Sequence, residues 1–158
     1  MKVAAVQMQA LVGEVAENLD KALSYAEQAA EAGAKLICLP ELFSTGYFSH
    51  TSHVDSEYFQ WAESLDGKTV SAFRKLAQST GTYMAVPFFE REAPGIYYNS
   101  ACLISDQGQV LGVYRKTHIP WSYTGWEKFY MKPGYAFPVF PTALGHIGIM
   151  NLRGIPLW

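Results

Sequence analysis

Residues 2–39 constrain the fold more than any other stretch. An apolar strand-like run at residues 2–8 leads into an amphipathic segment, a glycine and a second apolar run at residues 36–39. In the amphipathic part Ala16, Leu19, Ala22, Leu23, Ala26 and Ala30 recur at three- and four-residue spacing with Glu, Lys and Gln between them, which predicts a helix with one apolar face. Gly33 stands where a helix C′ residue is expected, because glycine enters the left-handed region without a Cβ penalty. The first run reads as a buried strand. Leu36-Ile37-Cys38-Leu39 is too short for a helix and suits a strand covered on both faces. A strand–helix–strand unit of this size predicts parallel strands joined by a right-handed crossover, and hence an α/β fold.

The remainder extends that pattern. A second helix is predicted from near Thr69, since Val70, Phe73, Leu76 and Ala77 share a face and Gly81 can close it. Strand candidates follow at residues 83–90, 97–105 and 109–115, the last two separated by the hairpin signal Asp106-Gln107-Gly108. Residues 139–140 and 146–150 read as two more strands. The segment 44–55, dense in Ser, Thr, Gly, Tyr and His, and the turn-rich aromatic segment 117–138 read as loops. With no repeat, low-complexity tract or interdomain linker, 158 residues are expected to form one domain.

Several function classes lose support from charge and composition. The net charge is −2 and no Lys/Arg block stands out, so there is no electrostatic case for nucleic acid or an anionic membrane surface. No apolar stretch approaches the length of a spanning helix, and the chain enters its first strand pattern with no signal-peptide core. The only cysteines, Cys38 and Cys102, both lie in apolar runs, which fits buried thiols in a reduced, cytoplasmic protein and not a disulfide framework.

Two charges stand at the ends of predicted strands. Glu41 follows Pro40 directly after residues 36–39, and proline keeps its predecessor extended, so the strand should deliver Glu41 to the sheet edge. Open α/β sheets bind ligands outside the carboxyl ends of their strands, where a carboxylate is placed for general-base work. Lys116 closes the run at 110–115, and an ammonium there can stabilise a developing oxyanion. Taken singly, each also fits an ordinary solvated strand-end charge. Glu127 lies among aromatics in Gly125-Trp126-Glu127-Lys128-Phe129-Tyr130; burial would require a partner, for which Lys116 and Lys128 are both of the right type. His118, beside a turn, is more ordinary as a structural residue than as a base. His50, His53 and Asp55 have a superficially metal-like spacing, but nothing places them on a common face, so no metal site is expected. Cys38 and Cys102 are thiols by type, yet both sit in core-like strand patterns where cysteine behaves as a small hydrophobe.

Six stretches in order resemble the nitrilase superfamily of carbon–nitrogen hydrolases: residues 2–8, Leu39-Pro40-Glu41-Leu42-Phe43, Tyr98-Asn99-Ser100, Tyr114-Arg115-Lys116-Thr117-His118-Ile119-Pro120, Glu127-Lys128-Phe129-Tyr130 with Pro133-Gly134, and Ile147-Gly148-Ile149-Met150. The wording around Lys116 and Glu127 is most similar to the N-carbamoylputrescine amidase and β-ureidopropionase branches. The resemblance implies the N-terminal part of a four-layer α-β-β-α sandwich and a Glu–Lys–Cys catalytic set acting on a small-molecule amide or carbamoyl substrate. Glu41 would be the general base, Lys116 would stabilise the tetrahedral intermediate, and Glu127 would match the second glutamate that positions substrate or lysine. It implies no metal or organic cofactor, and association into a homo-oligomer.

The third member of that set is where the sequence departs. The family pattern places the nucleophilic cysteine at the position of Leu152, and Asn151, Leu152, Arg153 and Gly154 supply no thiol. The expectation is thus a carbon–nitrogen hydrolase domain over residues 1–150, truncated before its nucleophile, followed by a non-matching tail at 151–158. Such a chain is expected to be inactive, with apolar faces left for the rest of the fold. The alternative is a non-catalytic ligand-binding or interaction module that keeps the Glu41/Lys116 pocket.

Overall fold

A computed structural model describes residues 1–120 and 125–151. Strands β1 (Val3–Ala5) and β2 (Leu36–Cys38) flank helix α1 (Val15–Glu31) in sequence and pair in parallel, as the opening pattern predicts. Helix α2 (Lys68–Thr80) precedes β3 (Tyr83–Ala93), which adds in parallel to β2. Strands β4 (Ile96–Ile104) and β5 (Val110–Arg115) then complete a five-stranded sheet in the order β1-β2-β3-β4-β5, with both added pairs antiparallel. A short helix α3 (Glu127–Tyr130) and a separate antiparallel pair, β6 (Val139–Thr142) with β7 (Gly145–Gly148), follow.

The predicted punctuation holds. Gly33 follows α1 at φ 88°, and Gly81 closes α2 at φ 62°, both in the left-handed region that glycine enters without steric cost. The turn Asp106-Gln107-Gly108 joins β4 to β5, with the Gly108 N–H donating to the Ser105 carbonyl at 2.9 Å.

Strand alternation sorts the sheet into two faces. Met84, Val86 and Phe88 point to one side with Ile37, Cys102 and Ile104, and there they pack under Ala22 and Ala26 of α1 and Val70, Phe73 and Ala77 of α2. Phe89 points to the other side, where an aromatic cluster with Leu42, Phe48 and Tyr130 forms a second core. On that other side the β6–β7 pair seats Phe140 against Gly112 of β5, so closely that a Cβ at Gly112 would collide with the ring. One helical layer, the main sheet and the start of a second sheet are therefore stacked in this chain. Among the described residues the first two strands are fully covered on one face only. The sequence reads the first as a buried strand and the second as covered on both faces, but Val3 and Ala5 are exposed, and Leu36 and Cys38 are half-buried.

The two segments read as loops contain short helical turns: Phe48–His50 is a 3-10 turn and α3 is a single turn, and a further 3-10 turn, Ser56–Trp61, follows the first loop. Elements this short carry no repeating periodicity and are legible only once packed. Among the described residues, no helix is long and apolar enough to cross a membrane.

Candidate active site

The chain turns sharply immediately after β2. Leu42 has φ 49°, a backbone region that a branched residue seldom occupies, and its side chain is fully buried in the second core. That turn leaves Glu41 at the strand's carboxyl end with its side chain 21% exposed. The loop behind it is held by Asn18 of α1, whose amide donates to the carbonyls of Leu11 (2.6 Å) and Ser44 (3.0 Å).

Lys116 arrives from the end of β5, and its backbone N–H donates to the Asn99 carbonyl at 2.8 Å, continuing the ladder one residue past the strand. Its side chain is wholly buried. The ammonium donates to Glu41 Oε1 at 2.9 Å and to Glu127 Oε2 at 2.8 Å. The amine sits above the ordinary lysine pKa: burial pulls it down, but the hydrogen bonds it donates to Glu127 and Glu41, together with their charges, outweigh that penalty.

Glu127, also wholly buried, opens α3. The helix is anchored to the polar loop by Trp126, whose backbone N–H donates to the Ser49 carbonyl (2.7 Å) and whose indole donates to the Thr51 carbonyl (3.1 Å). Tyr130 adds two bonds, accepting from the Asp55 N–H at 2.8 Å and donating to its carbonyl at 3.2 Å. Thus fixed, Glu127 faces Lys116, while Lys128 is exposed on the outside of the same turn.

The three residues singled out in the sequence are thereby brought together, and two more join them. The Tyr47 hydroxyl donates to Glu127 Oε1 at 2.7 Å, and the Asn99 amide donates to Glu41 Oε1 at 2.5 Å. Asn99 in turn accepts from the Asn151 amide at 2.9 Å. Sequence reasoning gave Tyr47 and Asn99 no role, although Asn99-Ser100 offered a signal: two adjacent polar residues inside an apolar strand run, both fully buried, require internal partners.

The other candidates lie elsewhere or face away. His118 is exposed and hydrogen-bonded to Thr117 Oγ1 at 2.9 Å. His50 packs edge-on against Tyr47, His53 bonds Ser52, and an Asp55 oxygen accepts from the Glu57 N–H, so the three do not converge. Among the described residues no group of three His, Cys, Asp or Glu side chains could hold a metal ion. Cys102 is wholly buried in the helix-covered core, where burial pushes its thiol up to about 12. Cys38 is half-buried and its thiol is likewise raised by burial. Leu152, Arg153 and Gly154 lie outside the described residues.

A sheet of this topology, with two carboxylates and a lysine gathered at its strand ends and a second sheet begun on its far face, is of the nitrilase type. It superposes on the crystal structure of a carbon-nitrogen hydrolase from Helicobacter pylori G27 with a TM-score of 0.84 and 31% identity, over 93% of this chain and 50% of that one. The carbon-nitrogen hydrolase family model matches residues 2–155, and the chain belongs to that family. Among curated relatives it is 40% identical to a citrullinase from Francisella tularensis, over 94% of this chain and 51% of the relative. It is 38% identical to an N-carbamoylputrescine amidase from Oryza sativa subsp. japonica, over 94% of this chain and 49% of the relative. The chain thus spans about half the length of the curated relatives it matches.

Proposed function

We propose that residues 1–150 carry the acid–base and oxyanion side of a carbon–nitrogen hydrolase site for carbamoyl or small amide substrates, in a cytoplasmic protein. The observation that carries this reading is the Glu41–Lys116–Glu127 cluster, whose lysine and second glutamate are sealed while Glu41 alone reaches its open edge. The names of the relatives support the carbamoyl class, since citrulline and N-carbamoylputrescine share a ureido group.

In the completed reaction a thiolate attacks the carbamoyl or amide carbon after Glu41 removes its proton. The carbonyl oxygen gains charge in the tetrahedral intermediate, and the Lys116 ammonium, held beside Glu41, stabilises that charge electrostatically. Glu127, held by Tyr47, keeps the ammonium protonated and aimed. The C–N bond then breaks, Glu41 returns the proton to the departing ammonia or amine, and water hydrolyses the acyl-enzyme. The thiol belongs at position 152, where this sequence has leucine. Loss of the nucleophile from such a unit lowers kcat on the order of 10⁶-fold, so this chain is expected not to turn over.

The test is ammonia release from citrulline and N-carbamoylputrescine, beside the thermal shift each ligand produces. No release above the blank, with a saturable rise in Tm that Lys116→Met abolishes, is the expected result. Turnover by the unaltered chain would overturn the assignment of inactivity. Turnover lost in Cys102→Ala would identify Cys102 as the nucleophile instead.

A further inference from the structure

Asn99 and Lys116 each have a neighbour on the opposite face of the sheet, and those neighbours meet. Ser100 of β4 is in register with Phe88 of β3 and Arg115 of β5, and Glu90 and Tyr98 form the next pair on that same face. Glu90 is buried, 4% exposed, and accepts three hydrogen bonds there: from Ser100 Oγ at 2.5 Å, Arg115 Nε at 2.8 Å and Arg115 Nη2 at 2.6 Å. The guanidinium also reaches Glu92 at 2.8 Å and lies over the Tyr98 ring at 4.2 Å. This is a bidentate, fork-shaped pairing, the geometry in which arginine and lysine are not interchangeable.

Its position in the ladder is what gives it work to do. The β3–β4 register shifts between Arg91 and Ala93, and the β4–β5 register shifts between Leu103 and Ile104. The residues that aim at Glu41 lie between these two irregularities. A one-residue slip there would turn Asn99 and Lys116 to the wrong face. We propose that Glu90 and Arg115 are positioning residues, a pin behind the site that fixes the register of β3, β4 and β5 so that Asn99 and Lys116 meet Glu41. The proposal rests on the reading of Lys116 and Glu41 as the working pair.

Titration of Lys116 by NMR in the full chain labelled with ¹³C,¹⁵N-lysine tests it. In the unaltered chain Lys116 is expected to titrate above the other lysines; an ordinary midpoint there would sink the reading of the site itself, separately from the pin. Arg115→Lys keeps the charge and removes the fork, so a change in Lys116 reports geometry and not lost Coulomb energy. It is expected to lower the Lys116 midpoint, as the carboxylates move out of alignment. Ser100→Ala, which keeps the ion pair, is expected to lower it less and serves if Arg115→Lys does not fold. Glu92→Gln, on the exposed side of the guanidinium, is expected to leave it unchanged. A fall in Tm with an unaltered Lys116 midpoint in the folded variants would make the pairing merely structural, and an equal shift in Glu92→Gln would overturn the register argument.

Discussion

Lys116 Nζ lies 2.8 Å from Glu127 Oε2, and neither side chain touches solvent. A buried ion pair is costly to desolvate and weak evidence of stability in itself, but removing one partner strands the other. Lys116→Met is therefore expected to destabilise the chain by about 3–5 kcal/mol, because Glu127 and Glu41 would then face each other without a cation. Urea unfolding measures this, and a loss below about 1 kcal/mol, the range of a surface ion pair, would mean that the pair is not formed in solution.

The same cluster sets a pH dependence. Lys116 has a raised pKa in the folded chain, so its contribution is fully present below the unfolded-state value of about 10.4. Above that pH the unfolded chain releases the proton first, and the contribution is lost as pH rises through the folded value. The urea midpoint of the unaltered chain is expected to fall in this alkaline range more steeply than that of Lys116→Met. Parallel curves for the two proteins would contradict the assignment.

Cys102 is expected to be inert towards a thiol reagent at neutral pH. Its thiol is buried and its pKa is pushed up to about 12, so almost no thiolate forms and none is accessible. Labelling followed by mass spectrometry should show modification of Cys102 only with global unfolding. Rapid modification under native conditions would place it outside the core.

Gly112→Ala is expected to cost about 1–3 kcal/mol, the usual penalty for overpacking. The added methyl would meet the Phe140 ring and push the β6–β7 pair away from β5. Phe140→Ala removes that clash, so the double variant should be more stable than the sum of the two single losses implies. Simple additivity would show that the hairpin does not sit on Gly112.

Much of the scaffold is legible in the linear chain because its determinants are local. The three- and four-residue spacing from Ala16 to Ala30, the glycines at 33 and 81 and the Asp106-Gln107-Gly108 turn each act over a few neighbours, so sequence pattern and structure agree there. Burial on the second face is different. The apolar letters of residues 2–8 and 36–39 cannot say whether anything packs on their far side, and Val3 and Ala5 prove exposed. Single helical turns such as α3 were unreadable for a related reason: one turn contains no period.

The site divides along the same line. Sequence by itself singled out Glu41, Lys116 and Glu127 through their motifs. Which lysine pairs with Glu127 was undecidable from residue type, since Lys116 and Lys128 carry the same charge. Tertiary structure decided it by turning α3 inward, through the Trp126 and Tyr130 bonds to the polar loop, so that Lys116 is sealed and Lys128 is left in water. It also brought Tyr47 to Glu127 across 80 positions of chain and Asn99 to Glu41 across 58. Those partners are fixed by strand register and by the need of buried polar atoms for hydrogen bonds, and both requirements act through space and not along the chain.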